Sequence, residues 1–235
     1  MKIFACDSTA KTASVALCED GVLLAEFTQN GGNTHSETLL PMTEVLLNSM
    51  KTDIDDIDLF AISEGPGSFT GVRIGAATVK GFAHRKNKPC VGVSTLEALA
   101  KNLAFGDDRV IVPVMDARRG QFYTAKFALE DGKFKRISED SALSFEEFTA
   151  DIQALGMRVY LCGDGYASAR RLLGDLLSFE TPERLRYQSA YSVAQIALEK
   201  YSHGEYTSAA DLRPTYLRLP QAERDRLNAE KMKGN

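Results

Sequence analysis

Tryptophan is absent from this 235-residue chain, and it holds only 3 histidines and 4 cysteines. Cys6, Cys18, Cys90 and Cys162 stand far apart, mostly inside strand-like apolar runs. They read as small core residues, not as a zinc site or a disulfide framework, and they suit a reducing compartment. No run of about 18 apolar residues occurs, which excludes a helical membrane span, and the chain enters a strand without a basic, apolar leader. The expected location is the cytoplasm, away from any membrane. Excess positive charge is missing too. A formal net charge of −4 argues against gripping nucleic acid through a global field, while leaving room for a local basic patch. No low-complexity linker is present. The 44% of hydrophobic residues suffices for one or two compact cores.

The stretch from Glu64 to Gly75 carries the most information. It ends an apolar strand (Leu59 to Ile62) in a glycine-rich turn that opens a helix. Gly65 and Gly67 permit positive φ and close backbone approach, Pro66 fixes the turn, and the first free N–H groups of the next helix point into the loop. The spacing matches neither G-x-x-x-x-G-K-[ST] nor G-x-G-x-x-G. A phosphate cradle and a purely structural turn both fit.

An internal echo comes next. Ile3 to Phe27 runs strand, Asp7, strand, Glu-Asp-Gly turn, strand, and Val112 to Ile137 repeats that order, offset by 109 at Asp116 and by 111 at Gly132. Each half thus opens with a β-meander whose first strand ends in an aspartate, and helices alternating with apolar strands follow. Duplication explains this better than two chance hairpins. The pattern predicts strands near 2–7, 12–18, 22–28, 58–63 and 89–93 with helices over 69–84 and 95–104. In the second half it predicts strands near 110–115, 121–128, 133–137 and 157–162 with helices over 145–154, 166–177 and 191–202. Capping boxes open at Ser94 and Ser144. The turn from Phe105 to Asp108 divides two α/β units, 1–104 and 105–204, from which a segment at 205–235 extends. From Arg213 onward six basic residues stand against three acidic ones, a polar tail that reads as solvated or disordered.

Two helices carry more apolar surface than one core needs. Over 37–50 the apolar residues spread through an arc of about 220°. Pro41 either starts this helix or kinks it. Helix 69–84 is apolar nearly all round, and Gly71 and Gly75 allow another backbone to come close. The pair reads as a protein–protein interface through His35, Leu39, Met42, Leu46, Val72, Gly75, Ala76 and Val79, or as two helices sandwiched inside the domain. As an interface, it expects Leu46→Asp or Gly75→Leu to weaken association and spare the monomer.

Six motifs carry a family resemblance over nearly the whole chain: Asp7 to Thr9, His35 to Pro41, Gly65 to Gly75, Asp116 to Gly120, Cys162 to Gly165 and Arg213 to Arg218. On them the chain resembles the TsaB (YeaZ) family, the accessory subunit of the bacterial machinery that installs threonylcarbamoyladenosine in tRNA. The resemblance implies an α/β, duplicated actin/sugar-kinase/Hsp70-like (ASKHA, ribonuclease H-like) two-domain fold. It implies a non-catalytic scaffold that pairs with the metal-bearing homologue TsaD, works with the ATPase TsaE and tRNA, and forms a homodimer when alone. No cofactor is held firmly, and the ATP used by the complex sits near the intersubunit seam. TsaD carries a His-x-x-x-His metal pair, but Leu39 stands one turn after His35 here, so a helix-start or surface role is expected for His35. His84 and His203 read as helix-end residues.

No nucleophile or triad is visible; Ser68 is not in G-x-S-x-G. By resemblance to the superfamily's ATPases, Asp7 and Asp116 are candidate magnesium contacts. The segment after Asp7 holds no glycine before Ala13, so turn-capping carboxylates are the plainer reading. Ser8, Gly65, Gly67, Gly163 and Gly165 are candidate anion or nucleotide contacts, and Arg118 with Arg119 pairs two guanidinium groups beside a turn. The alternative is an independent ATP-dependent small-molecule kinase using Asp7 and Asp116, or, more remotely, a peptidase regulator.

Overall fold

A computed structural model describes residues 1–176 and 180–218. Strand β1 (Lys2–Asp7) lies antiparallel to β2 (Ala13–Glu19), which pairs with β3 (Val22–Gln29); β1 runs parallel to β4 (Leu59–Gly65), and β4 to β5 (Cys90–Ser94). The sheet order is β3-β2-β1-β4-β5. Side chains alternate across β1, so both of its faces must be covered. Phe4 and Cys6 meet Leu39 and Leu46 of helix α1 (His35–Ser49) and Val79 of α2 (Phe69–His84). Ile3 and Ala5 meet a helix from the far end of the chain, described below.

The second half repeats this plan. Strand β6 (Arg109–Asp116) pairs antiparallel with β7 (Gln121–Thr124) and β8 (Phe127–Glu130), and parallel with β11 (Tyr160–Cys162). The register is continuous, Val114 opposite Thr124 and Ile111 opposite Phe127, so the single strand expected over 121–128 is one strand interrupted opposite Pro113. Pro113 has no N–H to give the ladder, and the Thr124 hydroxyl donates to its carbonyl instead (2.9 Å). Outside β8 and β7 run β9 (Lys133–Arg136) and β10 (Ser141–Ser144), the latter unforeseen in the sequence. Helices α4 (Phe145–Ala154) and α5 (Tyr166–Leu173) pack on Val112 and Val114 through Phe148 and Tyr166.

Each half sends its last helix onto the other's sheet. From α3 (Thr95–Lys101) and the turn after it, Leu96, Leu99 and Leu103 pack on Ile111, Met115 and Phe127 of the second half. From α6 (Ala190–Ser202), Val193, Ala194 and Ala197 pack on Ile3, Ala5, Ala16 and Cys18 of the first. Glu26 anchors α6: its Oε1 accepts from the Ser14 and Ser189 hydroxyls (3.1 and 2.8 Å) and from Tyr191 N–H (3.1 Å) at the helix start. The expected capping box closes at Ser144. At Ser94 only the cap itself forms, because the Glu97 carboxylate turns to Arg136 (3.0 Å).

Helix α1 does not start at Pro41 but continues through it, with Pro41 exposed on its solvent side. The segment from Arg213 to Arg218, expected as the start of a free tail, is docked: Thr215 N–H donates to Glu64 C=O (2.7 Å) and Arg73 Nε to Tyr216 Oη (3.0 Å). The remainder of that expected tail lies outside the described residues. All four cysteines are free and buried. Among the described residues no helix is long and apolar enough to cross a membrane.

Candidate functional site

The two halves face one another across a cleft of about 530 Å³, and the loops after β1 and β6 meet there. On the first side stand Lys11 and the turn from Pro66 to Phe69; on the second, Asp116 to Arg119; Tyr216 and Arg218 of the docked C-terminal segment also line it.

The glycine-rich turn is filled by the chain itself. A Cβ on Gly65 would stand 2.3 Å from Thr215 O, on Gly67 2.4 Å from Thr9 O, and on Gly71 2.0 Å from Ser8 O. Gly65 also needs its φ of +122°. Ser68 N–H donates to Thr9 C=O (2.6 Å) and the Ser8 hydroxyl to Gly71 C=O (2.9 Å), so the start of α2 is laced to the β1–β2 loop. The close packing that the glycines permit is with the chain's own loop. Gly163 and Gly165 behave alike: a Cβ there would meet Val114 O at 2.1 and 3.0 Å. At these glycines the missing Cβ makes room for neighbouring backbone, and Ser8 is buried beside them.

Asp7 is fully enclosed below the cleft. Its Oδ1 accepts from Thr9 N–H and the Thr9 hydroxyl (2.9 and 2.7 Å), and its Oδ2 from the Ser63 hydroxyl (2.5 Å). Burial raises its pKa, against the pull of those hydrogen bonds and of nearby His35. Asp116 is exposed at the cleft wall, where its Oδ1 accepts Arg118 N–H (2.8 Å). One carboxylate is thus sealed by its own loop, while the other caps a turn with one oxygen at the cleft wall. Arg118 and Arg119 do line the cleft.

The helices expected as an interface mostly turn those residues inward. Leu39, Leu46, Val72, Gly75, Ala76 and Val79 are buried in the first half's core, and Met42 packs against it. This corrects their assignment to a partner contact. The backbone admitted by Gly71 and Gly75 is the chain's own Ser8 segment; a Gly75 Cβ would meet Ser8 Oγ at 2.5 Å and Ile62 Cδ1 at 3.0 Å, so Gly75→Leu disrupts the monomer. Among the residues left outside are Leu40 and Val45 of α1, 53% and 55% exposed, and Thr70, Arg73 and Ala77 of α2. His35 sits at the α1 start with Nε2 2.6 Å from Ala10 O and Nδ1 buried without a partner. Its ring faces the β1–β2 loop.

The family description "tRNA N6-adenosine threonylcarbamoyltransferase" (TsaD) matches residues 23–222. Among curated relatives, the tRNA threonylcarbamoyladenosine biosynthesis protein TsaB of Escherichia coli is 30% identical over 221 residues, 93% of this chain and 95% of that one. The chain belongs to the TsaB (YeaZ) family. Its Bacillus subtilis member is 29% identical over 98% of this chain and 100% of its own length. A Pseudomonas aeruginosa structure titled as similar to peptidase YEAZ superposes with a TM-score of 0.80 at 25% identity, covering 92% of this chain and 99% of that one. The family's duplicated fold extends to a Clostridium difficile dehydratase activator solved with bound ADPNP (TM-score 0.51, 12% identity, 87% and 97% covered). The architecture is therefore that of the ASKHA group.

Lys11, Phe69, Tyr216 and Arg218 were missed by sequence reasoning. Arg218 and Tyr216 stand inside a quoted family motif, but only the docking of the C-terminal segment brings them to the cleft.

Proposed function

We propose that this chain serves tRNA threonylcarbamoyladenosine formation as a non-catalytic subunit, pairing with the TsaD homologue through the outer faces of α1 and α2. TsaE and tRNA join the assembly, ATP is consumed there and not in this chain's own cleft, and the complex works in the cytoplasm. The observation that carries the reading is the pair of exposed apolar side chains Leu40 and Val45 on α1, beside a superfamily site whose Asp7 is sealed. The excess of the apolar arc on this helix falls on those two residues. Alone, the same face pairs two copies of the chain.

The test is co-elution with the TsaD homologue on size-exclusion chromatography. Leu40→Asp with Val45→Asp should abolish association with unchanged circular dichroism. Undiminished association would remove the proposed face. Micromolar binding of ATP–magnesium to the isolated chain, with hydrolysis or phosphoryl transfer, would favour the kinase reading.

A further inference from the structure

We propose that the cleft between the halves is a binding track for a single strand of RNA, with Lys11, Arg118 and Arg218 taking phosphates and the exposed Tyr216 ring taking a base. The choice of RNA as ligand rests on the proposed role in tRNA modification.

In a chain of net charge −4, four cations (Lys11, Arg118, Arg119 and Arg218) face two carboxylates, Asp116 and Asp164, across one cleft. Both carboxylates are turned to backbone: Asp116 Oδ1 accepts Arg118 N–H (2.8 Å), and Asp164 Oδ1 accepts Asp116 N–H (3.1 Å). Among the described residues Lys11, Arg118 and Arg218 make no ion pair. Cations gathered in a concave site raise the local positive potential and draw anions.

The backbone supports this. Arg118 and Arg119 both hold left-handed φ, +65° and +57°, a conformation that is unfavourable for a residue with a side chain. The Asp116 contact to Arg118 N–H and the Arg218 guanidinium on Ala117 C=O (2.7 Å) hold the turn.

Two features favour a strand over a free nucleotide. The cations come from three separate elements, the β1–β2 loop, the β6–β7 turn and the C-terminal segment, and so form a track; the glycine loops that would cradle a triphosphate are filled by Thr9, Thr215 and Val114. At the lip, Phe69 and Tyr216 lie 5.0 Å apart, with Arg73 4.1 Å over the Phe69 ring and hydrogen-bonded to Tyr216. Cations along a groove beside aromatic faces are the elements of single-strand binding.

The test is fluorescence anisotropy of a labelled 15-nucleotide single-stranded RNA across a salt series, with the full chain alone and in complex with the TsaD homologue. Three phosphate contacts give a slope of log K against log salt near about −2. The triple variant Lys11→Gln, Arg118→Gln, Arg218→Gln should lose at least about tenfold in affinity and flatten the slope. Tyr216→Ala should lose about fivefold or more with the slope kept, and Lys133→Gln with Lys135→Gln, on β9, should bind like the parent. Arg118→Lys should restore the slope lost in Arg118→Gln, and circular dichroism checks the fold. No binding in either form, a triple variant that binds like the parent, or ATP competing as effectively as unlabelled RNA would each overturn the inference. If tRNA modification requires the chain and this test fails, only the cleft inference falls.

Discussion

Gly71→Ala should destabilise the protein although alanine is the better helix former. The position is the third residue of α2, in its first turn, where propensity favours the change by at most about 1 kcal/mol. The new methyl group, however, would stand 2.0 Å from Ser8 O, a backbone atom that cannot swing aside. Relief requires α2 to retreat from the β1–β2 loop by about 1 Å or more, since ordinary contacts lie at about 3.5 Å. That retreat disrupts Ser8 Oγ to Gly71 O (2.9 Å) and Ser68 N–H to Thr9 O (2.6 Å). Two hydrogen bonds at about 1 kcal/mol each and overpacking of about 1–3 kcal/mol outweigh the propensity gain, leaving a net loss of about 2–4 kcal/mol. For a chain of this size, Tm should fall by about 5–15 °C. Gly81 provides the control on the same helix: no atom lies within 4 Å of its would-be Cβ, so Gly81→Ala should stabilise by up to about 1 kcal/mol. Urea unfolding of both variants measures the difference. Equal stability for Gly71→Ala and Gly81→Ala would refute the view that this glycine run makes room for the chain's own loop.

Asp7 links stability to pH. Its native pKa lies above the ordinary value of about 3.9, so above that pH the native state binds more protons than the unfolded chain, and its contribution to stability falls until the raised native pKa is passed. Asp7→Asn should therefore lose less stability than the parent between pH 4 and pH 8 in urea unfolding, and parallel curves would contradict this. Asp7→Ala strands the Thr9 N–H and the Ser63 hydroxyl and should cost about 2–4 kcal/mol at neutral pH. Burial pushes the Cys18 and Cys90 thiols up to about 12 and about 11, and Cys6 and Cys162 higher still, so the native thiols should react with a disulfide reagent at least about tenfold more slowly than those of the urea-unfolded chain. Rapid native labelling would place a cysteine at the surface. Leu46→Asp buries a charge among Phe4, Val79 and Phe60 and should unfold the chain by circular dichroism, whereas Leu40→Asp should leave the fold intact.

Local grammar was legible where local chemistry decides it. The helix expected over 69–84 is α2, Phe69–His84, because Ser68 caps it and an apolar strand precedes it. The echoed meanders marked the duplication correctly. What the sequence hides is which apolar face meets which surface. The wide arc of α1 holds an inward stripe of Leu39, Leu46 and Leu47 and an outward remainder of Leu40 and Val45, and one-dimensional periodicity weighs them equally. The glycines after β4 signalled close backbone approach, yet the approaching backbone, Ser8 and Thr9, lies some 60 residues upstream. Likewise, the cleft cations come from positions 11, 118 and 218, which no local motif connects.

Reconstituted tRNA modification tests the central claim most directly: the TsaD homologue, TsaE, the adenylate-forming enzyme, threonine, bicarbonate, ATP and tRNA, with and without this chain. Threonylcarbamoyladenosine should form only when the chain is present, the chain alone should modify nothing, and Leu40→Asp with Val45→Asp should abolish the reaction. Equal modification without the chain would contradict it.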